Sequence, residues 1–399
     1  MSVLVDLVCQ TNFTVTLLQE LGNTNSPVLY SPLYLLYGVL LTHAFSEGDT
    51  FKEFTNFLFC LPTNQKLSPV SYGKAKKNFV NQLNISEIVD FDDNVMFIAQ
   101  SGFPFTSEYS AYLKSVGAVV GRLDFKSPKT VQIINKMMAN MTNQRITQIV
   151  STFNPDAVYF PIWELEFKDK WKLKFNAPKE GTFYVNATTK RTIPMMQQTS
   201  AEFGYLETEQ FRALRLPFVV NSTLAKNCTM DTNRTKRKHK CPKNAALPNF
   251  HLLVFLPQKR FGLSEALGYL DGPTINELMD PNHIEIDVTL PIFDFELNTT
   301  FNRQLQKVGL KKGFDPKEAD IPDIFANKRV YVGGLEQKIK FKINSDGADT
   351  LTGGYYETLL QKRSKRSSVK KFKADEPFVY MVIRENQGVS FLHYAGIFH

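Results

Sequence analysis

The spacing of apolar residues changes character near residue 156. Before it, Leu4, Leu7, Val15, Leu18 and Leu21 recur at helical intervals and Gly22 supplies a stop, which predicts a helix. Ser31-Pro32 sets a cap residue ahead of a proline at the first helical position, predicting a second helix toward Phe45. Ser127-Pro128 repeats that device ahead of Val131 to Met141. Asn94 to Ala99 and Ala118 to Leu123 read as strands.

Beyond Asp156 the pattern turns to alternation and aromatic-rich runs. Phe183-Tyr184-Val185, Phe250 to Leu256, Ile284 to Leu290, Val330 to Val332, Ile339 to Ile343 and Phe378 to Ile383 are predicted strands. Helical spacing returns at Leu263 to Tyr269 and Phe301 to Val308. Helices and strands that are mixed but partly segregated, with no repeat and no linker, predict one α+β domain over residues 1–399. Two stretches interrupt this order. One is a polar insertion over 219–249, the other a long segment over 345–374 containing Gly347, Gly353 and Gly354. Structureless stretches of that length inside a globular chain are usually functional.

Charge sharpens the picture at those two places. The net charge is +8, but Lys226–Lys243 and Lys362–Lys373 together hold fourteen basic residues against one acid, leaving −5 for the rest. A general nucleic-acid-binding surface is therefore not expected. The longest apolar stretch, Leu33 to Phe45, is too short and too polar to span a bilayer, and the N-terminal residues make a poor signal peptide because no basic region precedes Asp6.

Enzymatic chemistry finds little support. There is no HExxH, GxSxG, P-loop or CxxC pattern, and the six histidines show no metal-ligand spacing, so neither a metal, a cofactor nor a catalytic site is expected. Eight Asn-x-Ser/Thr sequons occur, at Asn12, Asn84, Asn140, Asn186, Asn221, Asn227, Asn233 and Asn298, three of them in the polar insertion. An Asn/Thr-rich chain would supply some by chance; together they favour an exported glycoprotein, with a cytoplasmic location as the alternative. Cys228 and Cys241 could close a loop across the insertion in an oxidising compartment.

The order of motifs resembles the serpin family over nearly the whole chain. Asn25-Ser-Pro-Val-Leu-Tyr-Ser-Pro-Leu looks like the family's first strand entering its second helix. Ile134-Asn135 with Asn143 and Ile146 resembles its "IN…TN…I" helix, and Phe167-Lys-Asp-Lys-Trp171 with Phe175 its "YFKGKW…F" strand. Ile193-Pro-Met-Met196, Leu214-Arg-Leu-Pro217, Phe255-Leu-Pro257, Leu290-Pro291, Pro377-Phe378 and Gly396 follow in the family's order. The N-terminus resembles the branch that lacks a cleavable signal.

That resemblance implies three sheets surrounded by helices, with 345–374 as an exposed reactive-centre loop. It implies an inhibitor whose loop is bait for a serine protease and traps it by cleavage and insertion, and the charge of Lys362, Arg363 and Arg366 suits a trypsin-like target, with Arg363 and Arg366 ahead of Lys362. Arg363-Ser-Lys-Arg366 also resembles a furin-type processing sequence. The hinge of insertion falls on Gly347, Ala348, Thr350 and Thr352; counted from Ala348, one strand face holds the small Ala348, Thr350, Thr352 and Gly354, and the other the bulkier Asp349, Leu351, Gly353 and Tyr355. Ser345, Leu351 and Thr352 depart from the family's usual residues, as do Tyr34, Trp163 and Gln337 where a Ser, an Asn and a His usually lie beneath the opening sheet. Two other readings stay open, a non-inhibitory carrier and a polysaccharide-binding surface protein. The second rests on Arg234, Lys236, Arg237, Lys238 and Lys240, which would suit a heparin-like chain; a solvated loop accounts for them equally. The expected partner is a trypsin-like protease held covalently by a monomeric inhibitor.

Overall fold

The N-terminal helical spacing becomes α1 (Leu7–Leu21), which buries Phe13, Val15, Leu17 and Leu18 and exposes Asn12 and Thr16. β1 (Val28–Tyr30) leads into α2 (Pro32–Ala44), which starts on the predicted proline. α3 (Gly48–Leu58) turns Phe51, Phe54 and Leu58 inward. After β2 (Asn94–Gln100) come α4 (Ser107–Ser115), β3 (Val119–Leu123), α5 (Lys129–Met141), β4 (Tyr159–Glu164) and the two-residue β5 (Asp169–Lys170). The strand-rich part follows with β6 (Lys179–Tyr184), β7 (Lys190–Glu207), β8 (Phe211–Pro217) and β9 (Asn249–Pro257). α6 (Leu263–Ala266) and α7 (Gly272–Met279) precede β10 (Asn282–Pro291) and β11 (Phe293–Thr300). α8 (Asn302–Lys307), β12 (Glu336–Asn344), β13 (Gly347–Ala348), β14 (Lys370–Lys373), β15 (Phe378–Asn386) and β16 (Val389–Phe398) complete the order.

This computed structural model describes residues 7–22, 26–58, 94–115, 118–141, 144, 147–151, 157–164, 169–219, 249–322, 324–325, 329–333, 335–348, 369–386 and 389–399. The chain divides into two units, one of Met1–Cys9, Leu33–Glu166 and Leu297–Ile339, the other of Gln10–Pro32, Phe167–Glu296 and Lys340–His399.

In the first unit β3, β2 and β4 form a sheet in that order, β2 running parallel to β3 and antiparallel to β4. Ile134 and Met138 of α5 pack with Met96, Ile98 and Ile162 of the sheet. Asn135 faces the return segment. Its Oδ1 accepts from the amides of Ile149 (2.9 Å) and Val150 (3.0 Å), and its Nδ2 donates to Val150 O (2.8 Å). The predicted strand Val330 to Val332 is not one. Its amides donate to isolated carbonyls, Val330 to Ile321 and Val332 to Gly313, and among the described residues no strand pairs with it.

In the second unit nine strands share a sheet, ordered β1-β16-β15-β9-β8-β7-β10-β14, with β6 paired to β7. β15 lies between β16 and β9, and Phe378 to Ile383 are wholly buried, which explains an unbroken apolar run in place of alternation. Each such side chain contributes about 1.5–3 kcal/mol by leaving water. Phe293 and Phe341 meet this sheet through rings, Phe293 against Tyr380 (4.9 Å) and Phe398 (5.1 Å), Phe341 against Tyr380 (5.8 Å). At Gly396 a Cβ would lie 2.2 Å from Val28 O and 2.4 Å from the Tyr380 ring, so β1 and β16 approach there only because the residue is glycine.

Candidate functional site

β12 reverses into β13 through Asn344-Ser345-Asp346-Gly347. Asn344 Oδ1 accepts from the amides of Asp346 (2.8 Å) and Gly347 (3.2 Å), an Asx-type cap that substitutes a side chain for missing ladder bonds. Gly347 takes φ +147°, a conformation that suits glycine. Gly347 and Ala348 then pair on both sides. Asn344 and Ile343 of β12 face Gly347 and Ala348, and Lys170 and Asp169 of β5 face them from the other edge, both pairings antiparallel. Ala348 is fully buried, as is Ile343 opposite it. Two residues of a middle strand are therefore in place.

The segment Trp171–Phe175 docks onto the reversal. The Trp171 indole N–H donates to Asn344 O (2.7 Å), the Phe175 amide to Ser345 O (3.1 Å) and the Trp171 amide to Asp346 O (3.1 Å). Lys174 Nζ lies 2.6 Å from Asp346 Oδ1, both side chains half exposed. Trp171 itself is buried and stacked on Phe218, with ring centroids 4.3 Å apart. Aromatic burial with the indole N–H satisfied is the arrangement expected of an interior tryptophan.

The far end of the same segment is anchored at β14. It runs parallel to β10, pairing Ile286 to Thr289 with Lys370 to Lys373, and inserts the buried Phe372. Lys370 donates to Glu207 and sits 4.5 Å from the Tyr205 ring centre, while Tyr205 Oη donates to Glu207 (3.0 Å). Lys373 pairs with Asp375 (2.8 Å), and Glu376 accepts from the Phe261 amide (2.6 Å). Burial raises the pKa of Glu376, whereas the Lys370 hydrogen bond pulls that of Glu207 from an ordinary 4.5 down to about 2. A lowered folded pKa means the contribution of Glu207 is complete above pH 4.5 and is lost as pH falls through about 2. Amide protection at β14 is therefore expected to decline between those values and to lose that pH dependence in Glu207→Gln. The pair is partly exposed, so salt reduces the effect.

Of the expected hinge residues, Gly347 and Ala348 fall in β13, while Thr350, Thr352, Leu351 and the bait candidates Lys362, Arg363 and Arg366 lie outside the described residues. The expected loop 345–374 thus holds strand at both ends. The insertion's Arg234, Lys236, Arg237, Lys238 and Lys240, its sequons Asn221, Asn227 and Asn233, Cys228 and Cys241, and Asn84 also lie outside them. Asn12, Asn140 and Asn298 are exposed. Asn186 sits in a turn, its Oδ1 accepting from the amides of Thr188 (2.9 Å) and Thr189 (2.8 Å). Tyr34 and Gln337 are buried; the Trp163 side chain lies outside the description. Sequence reading missed Lys174, Asp346 and Asn344 as a group, although Asn-x-Asp-Gly is a recognisable turn signal.

The profile of the family described as serpin (serine protease inhibitor) matches residues 9–395. The chain belongs to the serpin family. Among relatives, the serpin is 24% identical over 386 residues to serine protease inhibitor 88Ea of Drosophila melanogaster, covering 94% of this chain and 86% of that one. Its fold is similar to that of Arabidopsis AtSerpin1 in the native stressed conformation, with TM-score 0.75 and 18% identity over 100% of this chain and 98% of that one. Human thyroxine-binding globulin complexed with thyroxine gives TM-score 0.76 and 14% identity, over 100% and 98%. The α+β architecture with several sheets is that of the family. No described helix is long and apolar enough to cross a membrane.

Proposed function

We propose that this serpin inhibits trypsin-like serine proteases by suicide-substrate trapping. The observation that carries the reading is β13, where Gly347 and Ala348 already pair with β12 and β5. If the strand were extended in the same register after cleavage, Thr350 would come opposite the buried Phe341, and Thr352 and Gly354 would share its inward face. Asp349 would then come opposite Lys342, which already pairs with Asp294.

In the proposed reaction the protease serine attacks the carbonyl of the bait arginine, the peptide bond breaks with the amine of the next residue as leaving group, and the C-terminal fragment stays folded in β14, β15 and β16 until it is denatured. The bait carbonyl stays esterified to the serine. The freed segment then extends β13 as a full strand and carries the protease with it; serpin loop insertion is itself a known case of strand addition. About a dozen residues gaining ladder bonds at roughly 0.5–1.5 kcal/mol each give a driving force on the order of 10 kcal/mol. Mass spectrometry of the fragment released by trypsin tests the assignment. It is expected to begin after Arg363 or Arg366, and a cut outside Lys362 to Arg366 would remove it.

The basic insertion supports a second role, binding a sulfated polysaccharide through Arg234, Lys236, Arg237, Lys238 and Lys240. Replacing Lys236, Arg237 and Lys238 is expected to lower the salt needed for elution from a heparin column; unchanged elution dismisses the role. The exposed Asn12, Asn140 and Asn298 support export and glycosylation. Protein from secreting cells is expected to gain mobility after enzymatic deglycosylation, and an unchanged band counts against export.

A further inference from the structure

The four described sequons that carry Asn12, Asn140, Asn186 and Asn298 differ in what their side chains already do. Asn186 lies in the tight turn between β6 and β7, which Tyr184 and Lys190 close as a cross-strand pair. The Val185 and Asn186 amides both donate to Thr189 O, at 2.9 and 3.3 Å. Asn186 Oδ1 accepts three donors, the Thr188 hydroxyl (2.9 Å), the Thr188 amide (2.9 Å) and the Thr189 amide (2.8 Å). Ala187, Thr188 and Thr189 are exposed, and among the described residues nothing takes a hydrogen bond from Asn186 Nδ2. The buried Phe183, edge-on to Phe398 at 5.0 Å, and the Tyr184 amide, which donates to Asp375 O (2.8 Å), fix the base of the hairpin.

The other three are built differently. Asn12 is in α1, where the hydroxyl of its sequon partner Thr14 is buried and donates to Gln10 O (2.6 Å). Asn140 is in α5 and its Oδ1 receives Gln144 Nε2 (3.4 Å). Asn298 and Thr300 lie along β11, where an extended backbone does not turn back on its own side chain.

We infer that Asn186 is the preferred acceptor of an N-linked oligosaccharide in this chain, ahead of Asn12, Asn140 and Asn298. This rests on the export reading above. The donor is an oligosaccharide on a lipid pyrophosphate. The bond from sugar C1 to Asn186 Nδ2 forms as the bond from C1 to pyrophosphate oxygen breaks; the lipid pyrophosphate leaves and Nδ2 loses a proton. An amide nitrogen is a poor nucleophile, because its lone pair is delocalised into the carbonyl. Three donors on Oδ1 hold charge on that oxygen and ease loss of the Nδ2 proton as the new bond forms. Every bond of this turn joins residues within 185–189, so it forms without the rest of the fold.

The test makes the full-length chain in glycosylating cells, both as it stands and behind a cleavable leader that carries it into the secretory compartment. Enzymatic deglycosylation in heavy-oxygen water marks each occupied Asn, and peptide mass spectrometry reads occupancy site by site. With the leader, Asn186 is expected to be occupied in most molecules and more often than Asn12, Asn140 or Asn298. Thr188→Ser keeps the hydroxyl and should keep that occupancy. Thr189→Pro leaves the sequon intact but removes one amide donor to Oδ1, and should lower occupancy several-fold. An Asn186 that is empty, or ranks below the other three, would overturn the inference, and this ranking is read on the wild type without any variant. Unchanged occupancy in Thr189→Pro would also overturn it, because the turn would then not be what selects the site. If only the leader-borne chain carries sugar, the export reading fails while the acceptor inference stands.

Discussion

Ala348→Arg is expected to turn this serpin from the proposed trap into a substrate, with covalent complex falling at least tenfold while cleavage by trypsin continues. Ala348 is the second residue of β13, fully buried and directly opposite the buried Ile343. A guanidinium there has no room beside Ile343 and would carry an unpaired charge out of water, which costs several kcal/mol. β13 would leave its place between β12 and β5, and the cleaved segment would have to insert past the same obstacle. Densitometry of complex against cleaved inhibitor checks this. Complex at the wild-type level would mean that Ala348 is not on the path of insertion.

The second large effect concerns the bait. Replacing Lys362, Arg363 and Arg366 together by alanine is expected to slow association with trypsin by about 10³-fold or more, because an acidic specificity pocket left without its cation loses a buried charge pair. Among the three single variants, one at Arg363 or Arg366 should carry most of the loss. Stopped-flow or progress-curve rates measure it directly, and a triple variant that reacts as fast as wild type would place the bait elsewhere.

Elements governed by local chemistry were the legible ones. Ser31-Pro32 and Ser127-Pro128 announce α2 and α5 because a proline near the first helical position suits the backbone there. The run Phe378 to Ile383 announces β15, a strand covered on both faces. Val330 to Val332 has strand composition but no pairing strand among the described residues, and composition alone cannot report that. α3 is absent from the predicted elements even though Phe51, Phe54 and Leu58 are spaced for one helical face. At the site, Ala348 of the small-residue face is buried in β13, while Thr350, Thr352 and Gly354 lie outside the described residues. The contact between Lys174 and Asp346 joins residues far apart in the chain, and only the folded pairing of β5, β12 and β13 brings them together.

In the proposed mechanism, cleavage of the bait is coupled to growth of β13 before the acyl-enzyme can hydrolyse. The most direct measurement is to mix the serpin with trypsin and resolve the products on a denaturing gel, with mass spectrometry of any high-mass band. Trapping gives a band that survives denaturation at the mass of trypsin plus the serpin less the C-terminal fragment that denaturation releases. Complete cleavage with no such band would contradict it.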